Sequence, residues 1–450
     1  IDGEPSIDVW AMDVARFGDF ATPGWGTIKS SENYERRFVM TFPNETLPKG
    51  RRQKTTALFD RLTSKGAVWA QGFGLENALW FADRPEDAHE DPTFHRSRAH
   101  KYVAREVHAV RENVGGIEIA NFAKHEFKGP GARDFLNYVL AGRIPNPGRI
   151  NLSPMLTSKG KLYGDLTIAC MEEDYFILFG SGLMQEAHRR WFENKLPEKG
   201  VSYVNRSDDY HGVAISGPKS RELLNHIIRD DVSPESFKFR DIRQTYVGDV
   251  PAIIIRMSFS GELGYEIYCK PHYLIKLAEN IEEAGEDLGF CWYGARALLS
   301  MRLEKQWGVW TLDYRPDFTA AESGLDAFID WNKDFIGKEP AEREHQEGIK
   351  QKLITLTIES EEIDVSNDEA ILKNEKPIGY ISSGGYAHYV KKSVALGYVP
   401  IEHSKPGTKV QVEILGDIYN AEVQEEPLYD PDGTRTVSYT HLTLPTNREV

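Results

Sequence analysis

Gly129-Pro-Gly-Ala-Arg-Asp-Phe-Leu-Asn-Tyr-Val-Leu140 and Gly217-Pro-Lys-Ser-Arg-Glu-Leu-Leu-Asn-His-Ile-Ile228 are two versions of one phrase. Gly, Pro, Arg, the second Leu (Leu136 and Leu224) and Asn are identical, and most other positions match in kind. Each copy predicts a strand ending at Gly, then Pro in a first helical turn, where no N–H is needed. An acidic side chain near the positive helix end supports the same reading. The copies lie 88 residues apart, too few and too distant for a solenoid. They predict one domain made of two related strand–turn–helix halves.

The flanking sequence extends both halves. In the first, 162–170 and 174–180 read as paired strands, followed by a helix over 183–194. In the second, 252–259 and 264–268 read as strands around the Gly261-Glu262 turn, with helices over about 273–284 and 294–306. Upstream, Val103, Val107, Val110 and Val114 recur at spacings of 4, 3 and 4, one face of a helix. Gly115-Gly116 is expected to end that helix before a strand over 117–122. Residues 1–95 mix strand-like runs, turns and many aromatics. From Lys352 the helical period vanishes, and short β runs at 353–358, 377–382, 393–399 and 410–415 predict a small terminal barrel or sandwich.

Composition narrows the function classes. The chain has 450 residues, with 54 Lys+Arg against 69 Asp+Glu, a net charge of −15. No broad basic surface exists to release counterions from phosphate, so no nucleic-acid or membrane-surface partner is expected. Hydrophobic residues at 40% and charged residues at 27% suit a globular protein. No apolar run approaches the ~18 residues of a membrane helix. Cys170, Cys269 and Cys291 lie far apart without CxxC spacing, which reads as small buried hydrophobes in a reducing compartment.

Phosphate-loop, dinucleotide, nucleophile-elbow and zinc-protease motifs do not occur. His89, His95, His100 and His108 are spaced by 6, 5 and 8 and read as solvated linker histidines, not a metal site. Asp165 interrupts an otherwise apolar strand. It either faces solvent at a strand edge or is aimed into a cleft, where it can stabilise a cation or take a proton. Glu266, on the face opposite Tyr265 and Ile267, is either on a solvated strand face or beside a ligand approaching its glycines. Arg296, Ser300 and Glu304 share a helix face, as an exposed polar stripe or as a fork for a ligand carboxylate.

Together these residues resemble a known family. The patterns are Pro5-Ser-Ile-Asp-Val-Trp-Ala-Met-Asp-Val-Ala-Arg-Phe-Gly18, Gly72-Phe-Gly-Leu-Glu-Asn-Ala-Leu-Trp-Phe81, Arg105-Glu-Val-His-Ala-Val-Arg-Glu-Asn-Val-Gly115, Gly164-Asp-Leu-Thr167 and Ser260-Gly-Glu-Leu-Gly-Tyr-Glu-Ile267. Gly294-Ala-Arg296 with Met301-Arg-Leu-Glu-Lys305, Thr319-Ala-Ala-Glu-Ser-Gly-Leu325, Ser382-Ser-Gly-Gly-Tyr-Ala-His388 and Ala395-Leu-Gly-Tyr-Val399 continue them. Over about residues 4–435 the chain resembles the C-terminal portion of the dimethylglycine dehydrogenase / sarcosine dehydrogenase family. Its body is similar to the aminomethyltransferase (T-protein) of the glycine cleavage system.

The resemblance implies an α+β fold: an aminomethyltransferase-like folate-binding domain, a small C-terminal β-barrel, and a β-rich remnant of a flavin oxidoreductase and middle domain in front. The expected boundaries are 1–95, 96–345 and 346–435. Residues 436–450 leave the style of the rest and resemble translated read-through, so the chain is expected to be a fragment. The implied reaction passes the one-carbon unit of an oxidised N-methyl amine to tetrahydrofolate, giving 5,10-methylenetetrahydrofolate. FAD is implied for the longer protein, and a methylated amine and folate are the implied small-molecule partners. Another methylated donor on the same body, or a non-catalytic folate-binding module, are the rival readings. By the same resemblance Asp165 is the catalytic carboxylate, Glu266 with Tyr265 binds the pterin, and Arg296 positions the folate tail. Ala297 stands where the family has Asp, and Thr319-Ala-Ala-Glu322 replaces Thr-Pro-x-Glu. No metal is implied. The setting is a bacterial cytoplasm or a mitochondrial matrix; no oligomeric state follows.

Overall fold

The computed structural model describes residues 12–437, so the first residues of the Pro5–Gly18 pattern and the 438–450 tail lie outside them. Two antiparallel-dominated sheets form the body. One runs Ile242–Val247, Val250–Ile255, Gly264–Cys269, His211–Ser216, Val114–Glu118 and Phe290–Trp292. The other runs Arg149–Leu156, Leu162–Glu172, Tyr175–Ser181, Phe122–Lys128 and Ser202–Asn205. A closed six-stranded barrel occupies 351–424.

The repeat is physical. Strand Phe122–Lys128 leads through Gly129 into helix Ala132–Val139, and His211–Ser216 leads through Gly217 into Ser220–Ile227. Both glycines have positive φ, +120° and +134°, and a Cβ on either would lie 2.4 Å from a backbone carbonyl oxygen. Only glycine fits there. Pro130 and Pro218 sit earlier than expected, two residues before the first helical residue. They occupy a turn closed by Ala132 N–H to Gly129 O and Ser220 N–H to Gly217 O, ahead of the first helical residue.

Strand alternation sorts the side chains into layers. On Gly264–Cys269, Tyr265, Ile267 and Cys269 face outward, packing with Leu223, Leu277 and Ile281 of the helices outside that sheet. On Leu162–Glu172, Leu166, Ile168 and Cys170 face the opposite outside, against Leu136 and Phe192. Ala169, Ile177, Phe179, Ile253, Ile255 and Tyr268 fill the layer between the sheets. Asp165 and Glu266 belong to this inner register.

Four local expectations shift. Gly115 and Gly116 are inside strand Val114–Glu118, and helix Ala99–Glu112 ends before them. Their missing Cβ atoms admit Val110, Tyr293 and Phe290, each within 2.7 Å of the built position. Ahead of the body, helix Pro23–Glu35 stands where strand-rich sequence was expected; Pro23 opens it and the Thr22 hydroxyl caps Trp25 N–H at 3.3 Å. Leu58, Leu62, Ala67 and Phe81 join the core of Val213 and Ile254, so the packing of the body begins well before residue 95. His100 is not a solvated linker residue: it packs against Tyr386 and His388 of the barrel, at 5.0 and 4.5 Å between ring centres.

Candidate active site

A cavity of about 2640 Å³ opens between the sheets and reaches the barrel and the Arg16–Phe20 stretch. Asp165, Thr167 and Phe179 line it from one sheet, and Glu266 and Tyr268 from the other. Ala295, Leu298 and Leu299 of helix Ala295–Glu304 and the 307–312 loop complete the wall.

Asp165 stands at an irregular point of its strand. Pro154 lies opposite it, and the Pro154 carbonyl accepts Ala141 N–H at 2.9 Å. Proline supplies no N–H, so the ladder is interrupted there. On the other side, pairing with Tyr175–Ser181 begins only at Thr167. Burial pushes the Asp165 carboxyl up to about 7, although its own backbone N–H draws it down. A carboxyl poised near neutrality takes and returns protons efficiently.

Glu266 is 8% exposed, and burial raises it to about 7 against the lowering effects of the Tyr268 hydroxyl and Lys124. Tyr268 O–H donates to Glu266 Oε2 at 2.8 Å. Its ring stacks on Phe179 at 4.8 Å, which ties the two sheets together beside the carboxyl. Lys124 is fully buried behind this pair; burial lowers its ammonium to about 7, with Asp208 and Glu266 opposing.

The other two predicted residues do not join the cavity. Tyr265 is fully buried on the outward face of the Glu266 strand, stacked on Phe237 at 5.9 Å. Period-two alternation puts Tyr268, not Tyr265, beside Glu266. Arg296 turns away from the wall made by Ala295, Leu298 and Leu299 and pairs with Glu90 at 3.0 Å. Its stripe is neither exposed nor ligand-facing. Ser300 donates to Tyr386 O at 2.8 Å, and Glu304 accepts Arg111 and the Tyr389 N–H. The helix uses that face to seat the barrel.

Sequence reasoning missed the cationic groups that do line the cavity, among them Lys54, Arg143, Arg189 and Arg240. Arg240 has φ +67° and donates to Asn151 Oδ1 at 3.1 Å. Burial, with Arg149 nearby, lowers it from the usual arginine range. Lys238-Phe-Arg240 sits in an aperiodic connection, so no pattern marked it. Asp313 was missed too: it pairs with Arg302 at 2.7 Å, accepts Val309 N–H and the Ser383 hydroxyl, and so shapes the loop over the cavity. The charged run Met301-Arg-Leu-Glu-Lys305 carried the only trace of it.

Comparisons with known proteins agree with this architecture. The family model "GCVT N-terminal domain" matches residues 58–333, "Glycine cleavage T-protein C-terminal barrel domain" matches 351–430, and "FAD dependent oxidoreductase central domain" matches 2–56. Mitochondrial dimethylglycine dehydrogenase of Homo sapiens is 33% identical over 97% of this chain and 51% of its own length. Mitochondrial sarcosine dehydrogenase of Mus musculus is 26% identical over 97% of this chain and 53% of its own. The chain thus spans about half the length of these curated relatives. The crystal structure of glycine cleavage system aminomethyltransferase T from Bartonella henselae superposes with a TM-score of 0.73 at 21% identity, covering 84% of this chain and 98% of that one, and so shares the fold. With the first of these family matches spanning most of the chain, the protein belongs to the GCVT N-terminal domain family, and the dimethylglycine and sarcosine dehydrogenases are its homologues.

Proposed function

We propose that this chain transfers the one-carbon unit of an oxidised N-methyl amine to tetrahydrofolate, giving 5,10-methylenetetrahydrofolate and the demethylated amine. The observation that carries the reading is a single one: two carboxyls held near neutrality by burial project from facing sheets into one cavity. Kinship with the dehydrogenases and aminomethyltransferases supports it.

The cavity fits a reduced folate by the chemistry of its walls. The Glu266 carboxyl suits the donor-rich aminopyrimidine edge, and the Phe179–Tyr268 stack supplies an aromatic surface beside it. Arg240 and Arg143, in place of Arg296, are the cations available to a carboxylate tail. Bound folate supplies two secondary amine nitrogens as the one-carbon acceptor. Overall, a methylene iminium and tetrahydrofolate give the methylene-bridged folate and a protonated amine. Two N–H protons leave the folate and both finish on the released amine.

Asp165 carries this proton traffic. As an anion it stabilises the incoming iminium and accepts a proton; as the acid it returns one to the departing nitrogen. The low-dielectric wall of Trp310, Leu298 and Phe179 strengthens both effects. Among the described residues 12–57, helix Pro23–Glu35 is preceded by a short 3-10 turn and by no strand, which does not fit the strand–turn–helix cradle of an FAD pyrophosphate.

The test is 5,10-methylenetetrahydrofolate formation by the full chain from tetrahydrofolate and formaldehyde, above the spontaneous background. Asp165→Asn is expected to abolish the excess rate while tetrahydrofolate still binds. Unchanged turnover in that variant would sink the catalytic role, and absence of reduced-folate binding would sink the whole reading.

A further inference from the structure

The Asp165 strand is held at the reacting position by few of its own ladder bonds. Its register against Arg149–Leu156 slips between Gly164 and Leu162, making Tyr163 the extra residue of a β-bulge. Bulges bend a strand and re-aim the side chains around them. Pro154 opposite Asp165 and the late start of pairing with Tyr175–Ser181 leave this bulge without regular support on either side.

His188 lies directly beneath it. The residue is 1% exposed on helix Gln185–Glu193. Its Nε2 is 2.8 Å from the Tyr163 carbonyl oxygen, two residues before Asp165. A carbonyl only accepts, so the ring carries its proton on Nε2. Nδ1 is buried without a hydrogen-bond partner among the described residues, and burial lowers the imidazole to about 4, consistent with a permanently neutral ring. Gly164 makes room for it: a Cβ there would sit 3.0 Å from Nε2 and 3.2 Å from Cε1. The ring also meets Trp310 of the cavity wall, at 6.4 Å between centres.

We propose that His188 is a positioning residue for the transfer: its Nε2–H bond to Tyr163 sets the bulge, and the bulge aims Asp165 into the cavity. The inference rests on the catalytic reading of Asp165. It assigns His188 no contact with either substrate. Displacing a reacting carboxyl by a fraction of an ångström to 1 Å lowers turnover without touching the groups that bind folate.

Steady-state kinetics of the full chain, with tetrahydrofolate and formaldehyde as the probes, decide it. His188→Phe keeps a ring but removes the donor, and kcat is expected to fall by about tenfold to a hundredfold with the tetrahydrofolate KM unchanged. His188→Gln, whose amide nitrogen reaches the Nε2 position, is expected to restore kcat to within about threefold. Wild-type kcat in His188→Phe, or equal losses in the Phe and Gln variants, overturns the proposal. Should the Phe variant not fold, His188→Asn replaces it: one bond shorter, it is expected to lose kcat where Gln does not, and equal kcat in the two overturns the proposal. Asp165→Asn is run alongside. If it keeps full turnover, the catalytic role of Asp165 has failed and this inference with it; if it is inactive while His188→Phe is not, only the inference has failed.

Discussion

Phe179 and Tyr268 stack at 4.8 Å although they belong to different sheets. The contact joins the two halves at the point where Tyr268 also steers the Glu266 carboxyl. Truncating Phe179 removes this bridge and leaves a cavity in the shared core. Phe179→Ala is expected to cost about 3 kcal/mol in urea unfolding, with weaker tetrahydrofolate binding measured by titration.

Removing only the hydroxyl separates chemistry from packing. The Tyr268 O–H lowers the Glu266 pKa, so Tyr268→Phe raises it further above the present value of about 7. If folate binding uses the ionised carboxylate, its pH midpoint moves up by about 1 unit, read from binding curves between pH 5 and 9.

Asp165 predicts a stability trend of the opposite sense to that of an ordinary paired carboxylate. Its folded-state value is about 7 against 3.8 for an unperturbed aspartate side chain. Between these values the native chain keeps a proton that the unfolded chain has lost, so this group's contribution falls as pH rises and levels off above about 7. Asp165→Asn is therefore expected to be more stable than the parent at pH 8, by about 2 kcal/mol, with the difference vanishing near pH 4. Paired urea melts at the two pH values measure it.

The Arg302–Asp313 pair is buried at both ends. Asp313→Ala strands the guanidinium and the Ser382, Ser383 and Val309 donors together. A loss of about 3–5 kcal/mol is expected, with new proteolytic cleavage in 306–314.

Arg296 pairs with Glu90, whereas Arg240 lines the cavity. Arg296→Ala is therefore expected to leave tetrahydrofolate affinity within about threefold while lowering the melting temperature. Arg240→Ala is expected to weaken affinity for a carboxylate-tailed folate by about tenfold, and to leave a tail-less pterin unaffected. Calorimetric titration of both ligands distinguishes them.

Where the chain signals locally, reading it works. Strand 162–170, the barrel runs and the helix marked by Val103, Val107 and Val110 all have counterparts, because hydrophobic period reports which side of an element is dry. Strands Arg149–Leu156 and Ile242–Val247 carry no such mark, since mixed polar and apolar positions there follow neighbours that only the sheets bring close.

The duplicated halves and a β-rich C-terminal end were legible in the chain alone, because glycine at a tight turn, proline beside it and period-two alternation are local demands of the backbone, whereas closure of that end into a barrel is a tertiary fact. The sequence also supplied Asp165 and Glu266 as acids in apolar strands. Tertiary packing alone turns both inward to one cavity and keeps Tyr265 and Arg296 out of it, pairs Tyr268 with Glu266, puts Arg240 on the cavity wall and sets His188 against the Tyr163 carbonyl. A side chain's partner, and hence its desolvation and charge state, is set by elements far away in sequence, which no local pattern encodes.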